Sequence, residues 1–343
     1  MIIIKNLMNK QCFIIAEIGV NHNGSIKIAK KLIDAAKESF VDSVKFQIYN
    51  TEKLVKQNLK KEPYQIKNND NENQFEMLKR LELNFKEFKE LSEYSKRKNI
   101  IFLATPYDEE SADFIEELNV PIFKIGSGEI THLHLIKHIA KKNKQIILST
   151  GASTIPEIRD AIKTIEFMNN KNIILLHCTS NYPTKLKDVN LKAMITLKKF
   201  GYPVGFSDHT TSNEPSIAAV SLGACVIEKH FTLNRNMEGP DHNASIEPCD
   251  LKKFVQSIRN TELLLGSFEK KPTKSEKITI QLGRRSIISF KDIKKGEIFK
   301  KEHIAIKRPG TGISSKYLED FINKKASRNI KKDTLLNWND IKK

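Results

Sequence analysis

The feature that most narrows what this chain can fold into is an alternation of short, β-branched apolar runs with amphipathic stretches, repeated eight times between Cys12 and Gly266. The runs are Cys12 to Ala16, Ser43 to Gln47, Ile100 to Ala104, Ile122 to Ile125, Gln145 to Ser149, Ile173 to Cys178, Val204 to Ser207 and Cys225 to His230. Each is too short for a helix and rich in Ile, Val, Leu or Phe, so each predicts a buried strand. Between them apolar residues recur every three or four positions, as at Ile28, Leu32, Ile33 and Ala36 or at Phe114, Ile115 and Leu118, which is the stripe of a helix packed on one face. Ser153 and Thr154 precede Pro156 at one helix start, and Gly266 follows the Leu251 to Leu265 helix. Eight such units predict an α/β chain closed into a (β/α)8 TIM barrel rather than an open doubly wound sheet, whose first turn carries a GxGxxG string; here the turn reads GVNHNG.

The pattern then changes in kind. Residues 1–267 read as a barrel, 268–280 as a charged linker without apolar periodicity, and 281–343 as a small C-terminal module. That module offers a short strand from Arg284, an IKKGE turn, a KRPGTG loop, one helix near Tyr317 to Ile322 and an IKKD turn. A core so small is marginal alone and is expected to dock on something larger. The Met1–Ile4 run stops at Lys5, far short of a signal or membrane segment, so a soluble, cytoplasmic protein is expected. The 58 Lys and Arg outnumber the 41 Asp and Glu and leave a formal charge of +17, a field that attracts anions. The excess is spread along the chain with no basic block interleaved with aromatics, which points to an acidic small substrate and away from nucleic acid or membrane. Cys12, Cys178, Cys225 and Cys249 form no CxxC pair and read as buried free thiols.

In a barrel, side chains at the C-terminal strand ends converge on one mouth. Those ends offer Glu17; Lys45 and Gln47; Lys124, Ser127 and Glu129; Ser149; His177, Thr179 and Ser180; Ser207, Asp208 and His209; and Glu228, Lys229 and His230. Lys45 and Lys124 within a ring of serines suit a phosphate with an adjacent carboxylate, unless Glu129 or Glu228 simply neutralises them. His209 and His230 sit on neighbouring strand ends, where two imidazoles share a divalent ion with water and substrate oxygens, or serve as hydrogen-bonding core residues. His22 and His242 lie in loops, as substrate contacts or surface residues. Glu17 and Glu129 are candidates for acid/base work or partners of the lysines.

The strings AEIGVNHNGS from Ala16, VKFQ from Val44, KIGSGE from Lys124, ILSTG from Ile147, HCTSNYPT from His177, GFSDHT from Gly205, IEKHFTL from Ile227 and GPDHNAS from Gly239 resemble the sialic acid synthase family. The tail from Gly283, with IKKGE and IKRPGTGIS, resembles the antifreeze-like SAF domain of those synthases. The resemblance implies an enzyme that condenses phosphoenolpyruvate with N-acetylmannosamine to N-acetylneuraminate and phosphate, or with 2,4-diacetamido-2,4,6-trideoxymannose to N,N'-diacetyllegionaminate. It assigns Lys45, Lys124, Ser127, Ser149 and Ser207 to phosphoenolpyruvate, and His209 and His230 to a divalent metal, manganese before magnesium or cobalt. By the same resemblance Glu17, Gln47, Glu129, Tyr182 and Asp241 match positions facing the sugar or the metal's water, with Glu17, Glu129 and Lys124 the catalytic candidates. Arg308 matches an arginine inserted by the second subunit's tail, which implies a domain-swapped homodimer. Discrimination between sugars is expected around Tyr64, Gln65, Gln74 and Thr211. Ser180 stands where some members have asparagine, and Asn323 and Asp333 stand where glycine is usual; both of the latter types tolerate left-handed turns. A rival on the same fold is a Schiff-base aldolase with Lys45 or Lys124 as nucleophile.

Overall fold

The computed structural model describes residues 11–66 and 72–342, so the Met1–Ile4 run lies outside it. The chain divides into two compact units, Met1–Gly266 and Ser267–Lys343.

The first unit is built on β1 (Phe13–Gly19), β2 (Ser43–Ile48), β3 (Ile101–Pro106), β4 (Ile122–Ile125), β5 (Gln145–Ser149), β6 (Ile173–Cys178), β7 (Val204–Asp208) and β8 (Val226–His230). All are parallel, hydrogen-bonded in the order β3-β2-β1-β8-β7-β6-β5-β4, with β3 and β4 side by side at the ends of the series. This is the expected TIM barrel. Strand one runs further than its apolar run suggests, because Glu17 remains in the ladder opposite Lys45 and His230.

Strand alternation sorts every side chain into one of two layers. Phe13, Ile15, Leu103, Ile122, Ile147, Ile174, Leu176 and Val226 fill the barrel's interior as one apolar cluster, joined by Cys225 just before β8. Residues of the other parity pack outward on the helices, as Ile14, Val44, Phe102, Phe123, Ile146, Leu175, Phe206 and Ile227 do. Gly205 of β7 belongs where the interior is tightest: a Cβ there would stand 2.5 Å from the Val226 carbonyl oxygen and 2.6 Å from Leu176 Cδ2.

All seven helix-to-strand turns from β2 to β8 use one left-handed residue, at Phe40, Asn99, Asn119, Asn143, Asn169, Gly201 and Gly223. Such a residue reverses the chain off the last helical turn, and glycine and asparagine tolerate it best. Phe40, at φ 62° and 67% exposed, is the exception. The helix after Thr154 starts as expected, with Thr154 and Glu157 forming a capping box and Pro156 in the first turn. Among the described residues no helix is long and apolar enough to cross a membrane.

In the second unit β9 (Ser286–Ser289) pairs antiparallel with β10 (Ile304–Lys307) over a core of Ile287, Ile293, Phe299, Phe321, Ala326, Ile330 and Leu336. Two expectations need correction. The helix near Tyr317 to Ile322 is a six-residue 3-10 stretch, Ser315–Asp320, broken where Tyr317 leaves helical geometry at φ -99° and ψ 17°. The stretch read as linker ends in a helix of its own, Lys277–Gly283. Asn323 and Asp333 both adopt φ 65°, the turn geometry expected of them.

Candidate active site

The interior residues nearest the strand ends are polar. Glu17, Lys45, Gln47, Thr105, Lys124, Ser149, Ser207, His209, Glu228 and His230 line one cavity of about 680 Å³, joined by Ser127, Ser180 and Tyr182 from the following loops. Four charges dominate it. Lys45 Nζ lies 2.7 Å from Glu17 Oε2 and 3.7 Å from Glu228 Oε2, while Lys124 Nζ lies 3.7 Å from Glu228 Oε1. Burial opposes ionisation of Glu228, yet the ammoniums of Lys124 and Lys45 hold its carboxyl at about 2. Burial pushes Glu17 up despite Lys45, and pulls Lys124 down despite Glu228. Lys45, also burdened by burial, is held above its usual range by Glu17 and Glu228. Two ammoniums thus face two carboxylates, and the lysines are partly neutralised, by Glu17 and Glu228 rather than by Glu129.

Beside Lys124 is a cleft walled by hydroxyls. Lys124 Nζ donates to Ser149 Oγ at 2.8 Å, and the Gly151 amide donates to Ser127 Oγ at 3.0 Å. A Cβ on Gly151 would fall 2.3 Å from Ser180 Oγ and 2.9 Å from Ser127 Oγ, so only glycine keeps the cleft open. An ammonium, several hydroxyl donors and a cleft that a methyl group would fill match the needs of a compact oxyanion.

His209 Nδ1 donates to the Thr179 carbonyl at 2.8 Å, which leaves Nε2 with a free lone pair 3.3 Å from Ser207 Oγ. His230 Nδ1 is buried without a hydrogen-bond partner, and the nearest carboxylate, Asp241 Oδ2, is 3.8 Å away. The two rings are 5.5 Å apart, and Tyr182 packs on both. Burial keeps both neutral, holding His209 at about 4, with His230 adding to the effect, and His230 at about 3, with Lys45 adding to it. Neutral imidazoles with unshared lone pairs, one of them orphaned, fit a divalent cation. Among the described residues no three His, Cys, Asp or Glu form a metal cage, so such an ion would need its other ligands from water or substrate.

A side pocket of about 190 Å³ adjoins the cavity, lined by Asp241, Tyr182 and Gln47 with Val20, Tyr49, Leu54, Tyr64, Gln65, Met77 and Leu78. Burial and the charge of Glu17 push Asp241 up to about 7. Gln74 reaches Gln65 at 3.4 Å, whereas Thr211 is exposed and lines neither space.

Several expected residues stand elsewhere. Glu129 is absent from the cavity lining; it ends a 3-10 turn, Ser127–Glu129, and binds His132 at 2.9 Å. His177, Asp208 and Lys229 belong to the outward parity: His177 binds the Val189 carbonyl, and Lys229 pairs with Asp208 at 2.9 Å. His22 and His242 are neither exposed nor in the cavity lining; both are buried, and His242 joins Thr232 at 2.6 Å to Asn23 at 3.1 Å. Cys249 is exposed, unlike the other three cysteines. Arg308 follows β10 in the second unit. Thr105, which accepts from Lys45 at 3.1 Å, and Tyr107 were not anticipated, although extending the strand-three run by one residue brings Thr105 to the same interior parity as Leu103.

Residues 32–270 match the NeuB family and residues 284–342 the SAF domain. The chain is 50% identical over 331 residues to an N,N'-diacetyllegionaminic acid synthase of Campylobacter jejuni, covering 95% of this chain and 99% of that protein. It is 46% identical to the enzyme of the same name from Legionella pneumophila, covering 96% of this chain and 94% of that one. Among solved structures it is similar to the N-acetylneuraminic acid (sialic acid) synthetase of Leptospira borgpetersenii in complex with citrate, at a TM-score of 0.70 and 36% identity, covering 78% of this chain and 90% of that chain. A barrel whose polar layer gathers two lysines and two neutral histidines, followed by a SAF domain, therefore belongs, by sequence as by fold, to the NeuB family of synthases.

Proposed function

We propose that the protein condenses phosphoenolpyruvate with an N-acylated mannose-type sugar, forming a carbon–carbon bond and releasing phosphate. The observation that carries this reading is the pair of buried strand-end ammoniums, Lys45 and Lys124, beside a hydroxyl-walled cleft. In this reading the two lysines, with Ser127, Ser149 and Ser207, hold the phosphate and carboxylate of phosphoenolpyruvate and stabilise the leaving phosphate. Gln47, Tyr182 and Asp241 face the sugar. Glu17, inside the cavity and accepting from Gln47 at 3.1 Å, is the carboxylate placed to exchange a proton. Glu129 takes part if its bond to His132 opens. A divalent ion, manganese before magnesium or cobalt, would be held by His209 and His230 and would supply Lewis-acid polarisation of an aldehyde oxygen. Arg308 from a second subunit's tail completes the site in a domain-swapped homodimer, and the work is cytoplasmic.

Of the two sugars, N-acetylmannosamine satisfies the same polar groups, but 50% identity to a protein named for diacetyllegionaminic acid favours the 2,4-diacetamido-trideoxy sugar. The test incubates purified protein and manganese with phosphoenolpyruvate and each sugar in turn, measuring phosphate release and product mass. One phosphate per product, preferentially with the diacetamido sugar, is expected. No release with either sugar, or a borohydride-trapped pyruvate adduct on a lysine, would overturn the reading.

A further inference from the structure

Behind the wall of the cavity, between strands and helices, lies a buried cation that is not part of the cavity lining. Lys229 is 2% exposed, and its ammonium stands 5.7 Å from the centre of the Phe254 ring. All three of its N–H donors are used: Asp208 Oδ2 accepts at 2.9 Å, the Thr210 carbonyl at 2.9 Å and the Ser212 carbonyl at 3.0 Å. Asp208 completes the knot, accepting from Ser216 Oγ at 2.7 Å and from the Thr210 amide at 2.9 Å. The chain leaving β7 is therefore wrapped around one charge supplied by β8, and Asp208 and Lys229 are register partners across the two strands.

An apolar side chain would fill this layer without stripping water from an ion pair, so packing alone does not call for a lysine here. What the charge adds is position. His209 lies between Asp208 and Thr210, both fixed by Lys229, and His230 follows Lys229 directly. With Nδ1 of His209 held by Thr179, little freedom remains between the two rings except what this tether allows. We propose that Lys229, with Asp208, is a positioning residue that fixes the spacing of His209 and His230 and so tunes the affinity of the pair for a divalent cation. The claim rests on the metal reading of the two histidines, and support of a ligand from behind its strand is a known way to tune metal affinity.

Lys229→Met alone would strand a buried carboxylate, so the decisive protein is Lys229→Met/Asp208→Asn, which removes both charges and keeps an acceptor for the Thr210 amide. Manganese is titrated into the substrate-free protein and free metal is read by electron paramagnetic resonance. Deuterium exchange at residues 209–213 is measured without metal, and the parent serves as control throughout. The double variant should fold, exchange at least tenfold faster in that segment, and bind manganese at least tenfold more weakly, with the dissociation constant for phosphoenolpyruvate within twofold of the parent. Manganese affinity within twofold of the parent, with or without faster exchange, would overturn the proposal and leave the pair as a stability feature. If the parent itself binds no manganese, the metal reading fails separately; unchanged exchange in the double variant then refutes the positioning claim, and faster exchange sustains the tether.

Discussion

Replacing Lys124 with methionine is the sharpest test of the anion site. The side chain keeps nearly its length and apolar volume but loses the ammonium that donates to Ser149 Oγ at 2.8 Å and lies 3.7 Å from Glu228. The site then holds one ammonium against two carboxylates, so an arriving phosphate meets net repulsion where the charges had balanced. At the effective dielectric of a partly wet protein site, one unit charge about 4 Å away is worth about 4 kcal/mol before desolvation. Set against mutational losses of about 2.7 to 4 kcal/mol for a single charge-stabilising donor, a net loss of about 2 to 4 kcal/mol is expected in transition-state binding. At 1.36 kcal/mol per decade that is a fall in kcat/KM of roughly 30- to 1000-fold. Glu228 loses the larger of the two cations that hold it low and rises toward its neutral form, which relieves part of the repulsion and keeps the net loss below the full Coulomb figure. The assay measures phosphate release at varied phosphoenolpyruvate and at varied sugar, with a thermal melt as control for folding. The loss should fall on kcat and on the phosphoenolpyruvate term, leaving KM for the sugar within about threefold. A folded variant with kcat/KM within threefold of the parent and unchanged affinity for phosphoenolpyruvate would place the anion elsewhere.

Three further outcomes follow from the same geometry. Gly205→Ala puts a methyl group against the backbone carbonyl of Val226, which cannot step aside without breaking the β7–β8 ladder. It should cost about 2 to 3 kcal/mol, a drop of about 4 to 12 °C in the barrel's melting midpoint, and a shift under 1 °C would show that the interior yields. Phe40→Asn should stabilise the barrel by about 0.5 to 1 kcal/mol, since relief of left-handed strain outweighs an exposed contact with Lys252; a lower midpoint would mean that Phe40 packs on more than Lys252. Arg308→Ala and His209→Ala, each nearly inactive, are mixed under conditions of subunit exchange; a swapped dimer gives each mixed pair one intact site and returns about a quarter of parental activity, whereas no recovery after proven exchange refutes the swap.

The barrel was legible because a strand buried on both faces must be a short apolar run, and eight of these had room for little else. Lys45, Lys124 and His230 were legible for the same reason: strand parity fixes where each side chain points, and a polar residue inside such a run has few places to go; His209, one residue past β7, keeps the phase of Ser207. Parity also explains the misplacements. His177, Asp208 and Lys229 are strand-end residues of the wrong phase, and counting from Leu176, Ser207 and Glu228 would have turned them outward. Glu129 sits in a 3-10 turn, where no period of two applies, and its pairing with His132 depends on a contact the sequence does not announce. His22 and His242 read as substrate contacts or surface residues, since both lie in polar loops; their burial comes from two loops meeting across more than two hundred residues, where His242 reaches Asn23. In the second unit, short strands and 3-10 turns leave too few residues per element for any period to emerge.

The left-handed turns carry a consequence for how such a chain can drift. Seven turns require only a sign of φ, and asparagine meets that requirement four times where glycine does so twice. With 14 glycines in 343 residues, about 4% against the usual 7% or so, the chain uses asparagine at most of these corners instead. Asparagine codons are rich in adenine and thymine and glycine codons in guanine, so a genome's base composition can rewrite these corners wholesale while the topology, which reads only handedness, stays untouched.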